Sequence, residues 1–147
     1  MGISARSFFT PAEQEAIRQA IMDAELNTSG EIRIHIENRC SADILDRAAK
    51  LFDNLGMKKT ALRNGILIYL AILDRKFAII GDYGINSVVP ANFWDDIKNT
   101  MTNMFKEGKF SDGLIYAATA VGQQLKKHFP YHAGDINELS DDISFGK

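Results

Sequence analysis

The run Gly65-Ile66-Leu67-Ile68-Tyr69-Leu70-Ala71-Ile72 is apolar throughout, so as an extended chain it presents apolar side chains on both faces. Such a strand is stable only in the middle of a sheet covered on two sides. Upstream, Glu31-Ile32-Arg33-Ile34-His35-Ile36-Glu37 alternates strictly between polar and apolar, which predicts a second strand with Ile32, Ile34 and Ile36 towards the core. Between the two, Ser41 can cap a helix to about Leu55, with Ile44, Leu45, Ala48, Leu51, Phe52 and Leu55 as its apolar stripe and Gly56 as its stop. Strand, helix and strand in that order make a right-handed βαβ unit with parallel strands.

The rest of the chain builds onto that unit. Thr10-Pro11-Ala12-Glu13 has the cap, the proline and the glutamate of a capping box, opening a helix to about Leu26 that buries Ile17, Ala20, Ile21 and Ala24. Asn27 to Gly30 is a turn. Asp74-Arg75 turns the chain into a third strand, Lys76 to Ile80, antiparallel to the second; with Leu73 opposite Lys76, Asp82 falls near Leu67 and Gly84 near Gly65. A helix from near Pro90 turns Phe93, Trp94, Ile97, Met101, Met104 and Phe105 inward. Another runs from Ser111 or Asp112 to His128, and Pro130 stops it. The expected fold is α/β: an α/β/α sandwich on a small mixed β-sheet with helices on both faces. One domain is expected over residues 1–134, followed by a loosely packed acidic tail over 135–147.

Composition removes several classes of function. Of 147 residues, 46% are hydrophobic and 24% charged, which suits one globular domain with its own core. A net charge of -2 provides no basic field for a polyanion, so nucleic acid is not an expected partner. Cys40 is the single cysteine and reads as a structural thiol. No apolar run approaches the ~20 residues of a membrane helix, so no membrane insertion is expected and the chain reads as cytoplasmic. There is no GxSxG, Walker loop, EF-hand loop or HExxH. His128 and His132 are separated by Pro130 and cannot share a helical face, and nothing places His35 as a base for Cys40.

What the topology does gather is oxygen. Parallel pairing puts the starts of the first two strands side by side, and the hairpin returns the third strand to the same edge, so Glu31, Asn64 and Asp82 should cluster there. Asp112, at a helix start preceded by Gly108 and followed by Gly113, is a fourth candidate from the loop above. Carboxylates with an amide oxygen are hard ligands suited to Ca²⁺ or Mg²⁺. The structural alternative makes Asp112 a helix cap, Asp82 a turn residue and Glu31 a solvated strand end. Lys58, Lys59 and Arg63 lie in the loop leading to that edge and either hold phosphate oxygens or form a solvated loop. Glu37, Arg39, Asp74 and Arg75 read as surface charges at the opposite edge, and the acceptors of Asn137 to Asp142 as a solvated end.

The segments Thr28-Ser29-Gly30-Glu31-Ile32, Arg63-Asn64-Gly65-Ile66-Leu67-Ile68-Tyr69, Asp74-Arg75-Lys76, Gly81-Asp82-Tyr83-Gly84-Ile85 and Phe110-Ser111-Asp112-Gly113-Leu114, in that order, resemble the TPM domain family, named for a thylakoid phosphatase-like protein and its relatives. The likeness runs from about Phe8 to Phe129. It implies the α/β/α fold, bound Ca²⁺ and, for some members, phosphatase activity; other members act as assembly, repair or receptor-associated modules. Many members carry a signal sequence and a membrane anchor, and this chain resembles a stand-alone, soluble form. The family's acidic positions map onto Glu31, Asp74, Asp82 and Asp112, with Asn64-Gly65 beside them. Asp74 falls at the far end of the hairpin and reads as a turn former outside the site.

Two functions follow as expectations. In a Ca²⁺-dependent phosphomonoesterase, Glu31, Asp82, Asp112 and Asn64 hold the metal, Lys59, Arg63 and Asn64 bind a phosphorylated small molecule or phosphoprotein, and water attacks with Asp82 or Asp112 as base. In a non-catalytic Ca²⁺-binding module, the metal orders the loops around Asp82 and Asp112 for a protein partner.

Overall fold

The computed structural model describes residues 5–131 and 141–146. Strands β1 (Glu31–Glu37), β2 (Gly65–Ala71), β3 (Lys76–Gly81) and β4 (Ser144–Phe145) form one mixed sheet in the order β3-β2-β1-β4. β1 and β2 are parallel with Glu31 opposite Gly65, and β2 and β3 are antiparallel. The helices are α1 (Ala5–Phe8), α2 (Pro11–Glu25), α3 (Ile44–Asn54), α4 (Tyr83–Asn86), α5 (Phe93–Lys106) and α6 (Phe110–His128), with a 3-10 turn at Met57–Lys59.

Every residue of β2 is buried, as its unbroken apolar run requires. Ile66, Ile68 and Leu70 join Ile32, Ile34 and Ile36 against Ile17, Ile21, Met101 and Val121 of α2, α5 and α6. Leu67, Tyr69 and Ala71 face Ala48, Leu51 and Phe52 of α3 and Met57 of the 3-10 turn. The sandwich is therefore three-layered but lopsided, with a single full helix on the second face. Among the described residues no helix is long and apolar enough to cross a membrane.

Local signals explain most element boundaries. Thr10 and Glu13 form the reciprocal capping box, with Glu13 N donating to Thr10 Oγ1 at 3.1 Å and Thr10 N to Glu13 Oε1 at 2.9 Å. α3 starts later than the serine suggested: the Asp43 carboxylate, not Ser41, accepts from Leu45 N and Asp46 N. Gly56 then leaves α3 in the left-handed region, at φ 72°.

The hairpin and the tail also depart from expectation. The hairpin pairs Ala71, not Leu73, with Lys76, because Ile72 N and Leu73 N donate to Glu37 O and Asn38 O, and Arg75 closes the turn at φ 54°. Asp82 is thereby carried past Leu67 to lie opposite Gly65, whose carbonyl accepts from Asp82 N at 2.9 Å. The tail, expected to be loosely packed from residue 135 onwards, contributes β4, which pairs with β1 at His35–Ser144 and Ile36–Phe145. Without it the outer side of β1 would be an open edge of unpaired backbone groups. Residues 135–140 and 147 of that tail, and His132, lie outside the described residues.

Candidate functional site

The start of β1 brings Glu31, Asn64 and Asp82 to one edge of the sheet, and all three are buried. They do not converge on one point. Glu31 and Asp82 stand on strands separated by β2, about 10 Å apart at the backbone given the ~4.8 Å strand spacing. Asp82 is also fully engaged: it accepts from Arg63 Nε at 2.7 Å and Arg63 Nη2 at 2.9 Å, and from Tyr83 N at 2.7 Å at the start of α4. The Arg63 guanidinium, expected to clamp phosphate, is the bidentate partner of Asp82 instead. The Trp94 indole lies against Gly81 and donates from Nε1 to Asn86 Oδ1 at 3.0 Å, closing this corner.

Beyond Glu31, on the outer side of β1, a cleft of about 460 Å³ opens between the end of α2 and the segment before β4. Asp23, Glu25, Glu31 and Asp141 bring carboxyl groups to its lining, beside polar residues that include Ser29, and Met22, Leu26 and Tyr131 form its apolar rim. Glu25 also fixes the strand start, since its Oε2 accepts from Ile32 N at 2.7 Å. Burial, reinforced by the hydrogen bond with Asp141 and the nearby Glu31 charge, pushes the Glu25 carboxyl up to about 10. Glu25 is therefore neutral near pH 7. Next to Glu31, Asn64 Nδ2 donates to Ser29 Oγ at 3.4 Å, while Asn64 Oδ1 is buried with no hydrogen-bond partner among the described residues. An unsatisfied buried amide oxygen carries a desolvation cost of about 1–3 kcal/mol, which a hard cation beside it would offset. Among the described residues no three His, Cys, Asp or Glu side chains are grouped to hold a metal, so such an ion would depend on neutral oxygens and water as well as carboxylate.

Asp112 is not part of this edge. The C-terminal turn of α6 meets Thr28, whose Oγ1 donates to Leu125 O at 3.0 Å, whereas Asp112 lies in the first turn and is exposed. At 1.5 Å per residue the helix separates Asp112 from Leu125 by about 20 Å. Lys59 is exposed, and Lys58 pairs with Asp53 at 2.8 Å. Asp74 holds the far end of the hairpin, away from Glu31 and Asp82, accepting from Cys40 N at 2.7 Å and Arg39 Nη1 at 3.3 Å.

Glu37 overturns its reading as a surface charge. It is buried and accepts from Arg47 Nε at 3.1 Å, Tyr69 Oη at 2.7 Å and His35 Nε2 at 3.1 Å. Burial alone would raise its pKa, but the hydrogen bonds from Arg47, Tyr69 and His35 outweigh it and hold the carboxyl at about 2. For His35 burial prevails: it lowers the imidazole pKa against the pull of Glu37. Strict alternation along β1 correctly places its polar face but says nothing of α3 and Tyr69, which cover it. Glu25 was missed too. The available signal was an acidic residue at a helix C-terminus, where the helix dipole disfavours negative charge.

The three-layer α/β/α domain agrees with what the sequence matches: the chain belongs to the TPM domain family, over residues 4–124. It is similar to the BA42 protein of the psychrophilic bacterium Bizionia argentinensis, known from an NMR structure, at 48% identity and a TM-score of 0.88, covering 95% of this chain and 96% of that one. The N-terminal domain of a protein from P. gingivalis, also solved by NMR, shares the fold at 21% identity and a TM-score of 0.71, with 84% of this chain and 82% of that one covered. Protein p74 of Orgyia pseudotsugata multicapsid polyhedrosis virus is 25% identical over 112 residues, which are 76% of this chain but only 16% of that protein.

Proposed function

We propose that this TPM domain is a calcium-binding interaction module whose ion is held at the start of β1 by Glu31, which lines the acidic cleft, and by the Asn64 side-chain oxygen. The observation that carries the reading is Asn64 Oδ1, a buried acceptor with no partner among the described residues, in the residue whose backbone carbonyl accepts from Glu31 N at 3.4 Å. When bound, Ca²⁺ supplies positive charge to an edge whose own residues are acidic, and Leu26, Met22 and Tyr131 offer an apolar rim for a protein partner. Mg²⁺, smaller and more demanding of octahedral geometry, fits a mixed oxygen set less well.

Phosphomonoester hydrolysis is the second reading. It draws on the family, and it would need the ion to hold the phosphoryl group, since among the described residues no Lys or Arg lines the cleft and Arg63 is committed to Asp82. A thermal melt with Ca²⁺, Mg²⁺ or chelator tests the first reading. Ca²⁺ at 100 times its dissociation constant should stabilise by about 2.7 kcal/mol, several degrees at roughly 2–4 °C per kcal/mol. Glu31→Gln should abolish the shift and Asp112→Asn should keep it; an unshifted native protein would refute calcium binding. Ca²⁺-dependent release of phosphate from an aryl phosphate, lost in Glu31→Gln, would promote the second reading over the first.

A further inference from the structure

The outer edge of β1 is covered by β4 of the same chain. β4 pairs with β1 at only two positions, extended by Gly146 N donating to Ile36 O at 2.8 Å, yet every residue from Asp142 to Gly146 contacts the domain. Arg18 Nε donates to Asp142 Oδ1 at 2.9 Å. Ile143 and Phe145 pack against the larger core, with the Arg6 guanidinium over the Phe145 ring at 5.1 Å. Ser144 Oγ lies 2.8 Å from His35 Nδ1. Because Glu37 is ionised and can only accept, the neutral His35 keeps its proton on Nε2 and donates it to Glu37, which leaves Nδ1 as the acceptor for the Ser144 hydroxyl. A Cβ on Gly146 would collide with the Glu37 carboxylate, and that carboxylate cannot swing away while Arg47 and Tyr69 hold it.

We propose that this edge is a strand-addition site, that residues 142–146 are its tethered occupant, and that it accepts in trans an extended protein segment of the pattern acidic, apolar, Ser or Thr, aromatic, Gly. Backbone pairing to an edge strand gives such sites their affinity, and alternate side chains give their specificity. Here the hydroxyl and the glycine are read on the His35–Glu37 face, and the apolar and aromatic side chains on the core face. Tethering makes the segment a strong competitor at its own site, so a free segment binds only when the tether is displaced. The short ladder places the segment among the more easily opened parts of the fold.

The test is fluorescence polarisation of a labelled peptide carrying residues 141–146, read against the full chain and against the full chain with Gly146→Val, with amide exchange at position 146 followed in both. In the native chain the Gly146 amide is protected and the peptide binds weakly. Gly146→Val exposes that amide and binds the peptide at least about tenfold more tightly, because the edge is vacant. A peptide bearing Ser144→Ala loses about tenfold, the worth of one hydrogen bond, and a peptide bearing Gly146→Val does not bind. Equal binding to both chains, no binding to the variant, or a variant whose amide at position 146 stays protected overturns the proposal. If Gly146→Val melts with the loss of the domain's cooperative transition, Phe145→Asp in the full chain replaces it, with the same outcomes required. None of these results depends on calcium.

Discussion

Gly84 has no room for a side chain: a Cβ there would press on the carbonyl oxygens of Leu62 and Arg63, and its own N–H donates to Arg63 O at 2.8 Å. Backbone cannot yield as a flexible side chain can, so Gly84→Ala should cost about 1–3 kcal/mol in urea unfolding. Glu25 makes a different prediction at the same scale. Its folded-state pKa of about 10 lies above the ordinary 4.5, so the folded protein binds the extra proton between those values. The stability this provides is complete below pH 4.5 and is lost as pH rises towards 10. Glu25→Gln, which keeps an acceptor for Ile32 N, should flatten that slope between about pH 5 and about pH 9 and leave the variant the more stable at the alkaline end. A wild-type slope unchanged in the variant would remove Glu25 as its source.

At the scale of elements, β1 is where periodicity is both most and least informative. Its alternation locates Ile32, Ile34 and Ile36 and, through the βαβ rule, the parallel register with β2. It cannot reveal that Glu37 is sealed under Arg47 and Tyr69, because those partners come from other elements. Removing one partner of a buried, hydrogen-bonded charge is costly, so Glu37→Ala should destabilise by about 3–5 kcal/mol in urea. With its folded pKa depressed to about 2, Glu37 contributes stability above pH 4.5 that is lost as pH falls towards 2. His35 adds in the same direction: its depressed pKa means that stability falls as pH drops below its ordinary 6.5. The wild type should therefore lose stability in acid more steeply than Glu37→Ala does, which melts across the acid range would measure. The hairpin register escaped for a similar reason, since the bonds from Ile72 and Leu73 back to the end of β1 are invisible in a local turn sequence.

For the whole molecule, the fold was legible because its strongest constraint is global: an apolar strand needing cover on both faces leaves few arrangements besides the sandwich. The candidate site was half legible. Topology gathers Glu31, Asn64 and Asp82 at one edge, but the pairing of Arg63 with Asp82, the placement of Asp112 at the far end of α6 and the arrival of Asp141 beside Glu25 depend on packing between distant segments. The aromatic corner carries one more consequence. Trp94 is the single tryptophan of the chain, half-buried over Gly81 and bonded to Asn86, within a residue of the Asp82 turn. The domain thus contains its own optical sensor, and the sensor watches the Arg63–Asp82 corner rather than the cleft. An emission change on adding Ca²⁺ would report strain relayed across β2 from Glu31, whereas a silent indole with a raised melting temperature would confine the ion's influence to the outer half of the sheet.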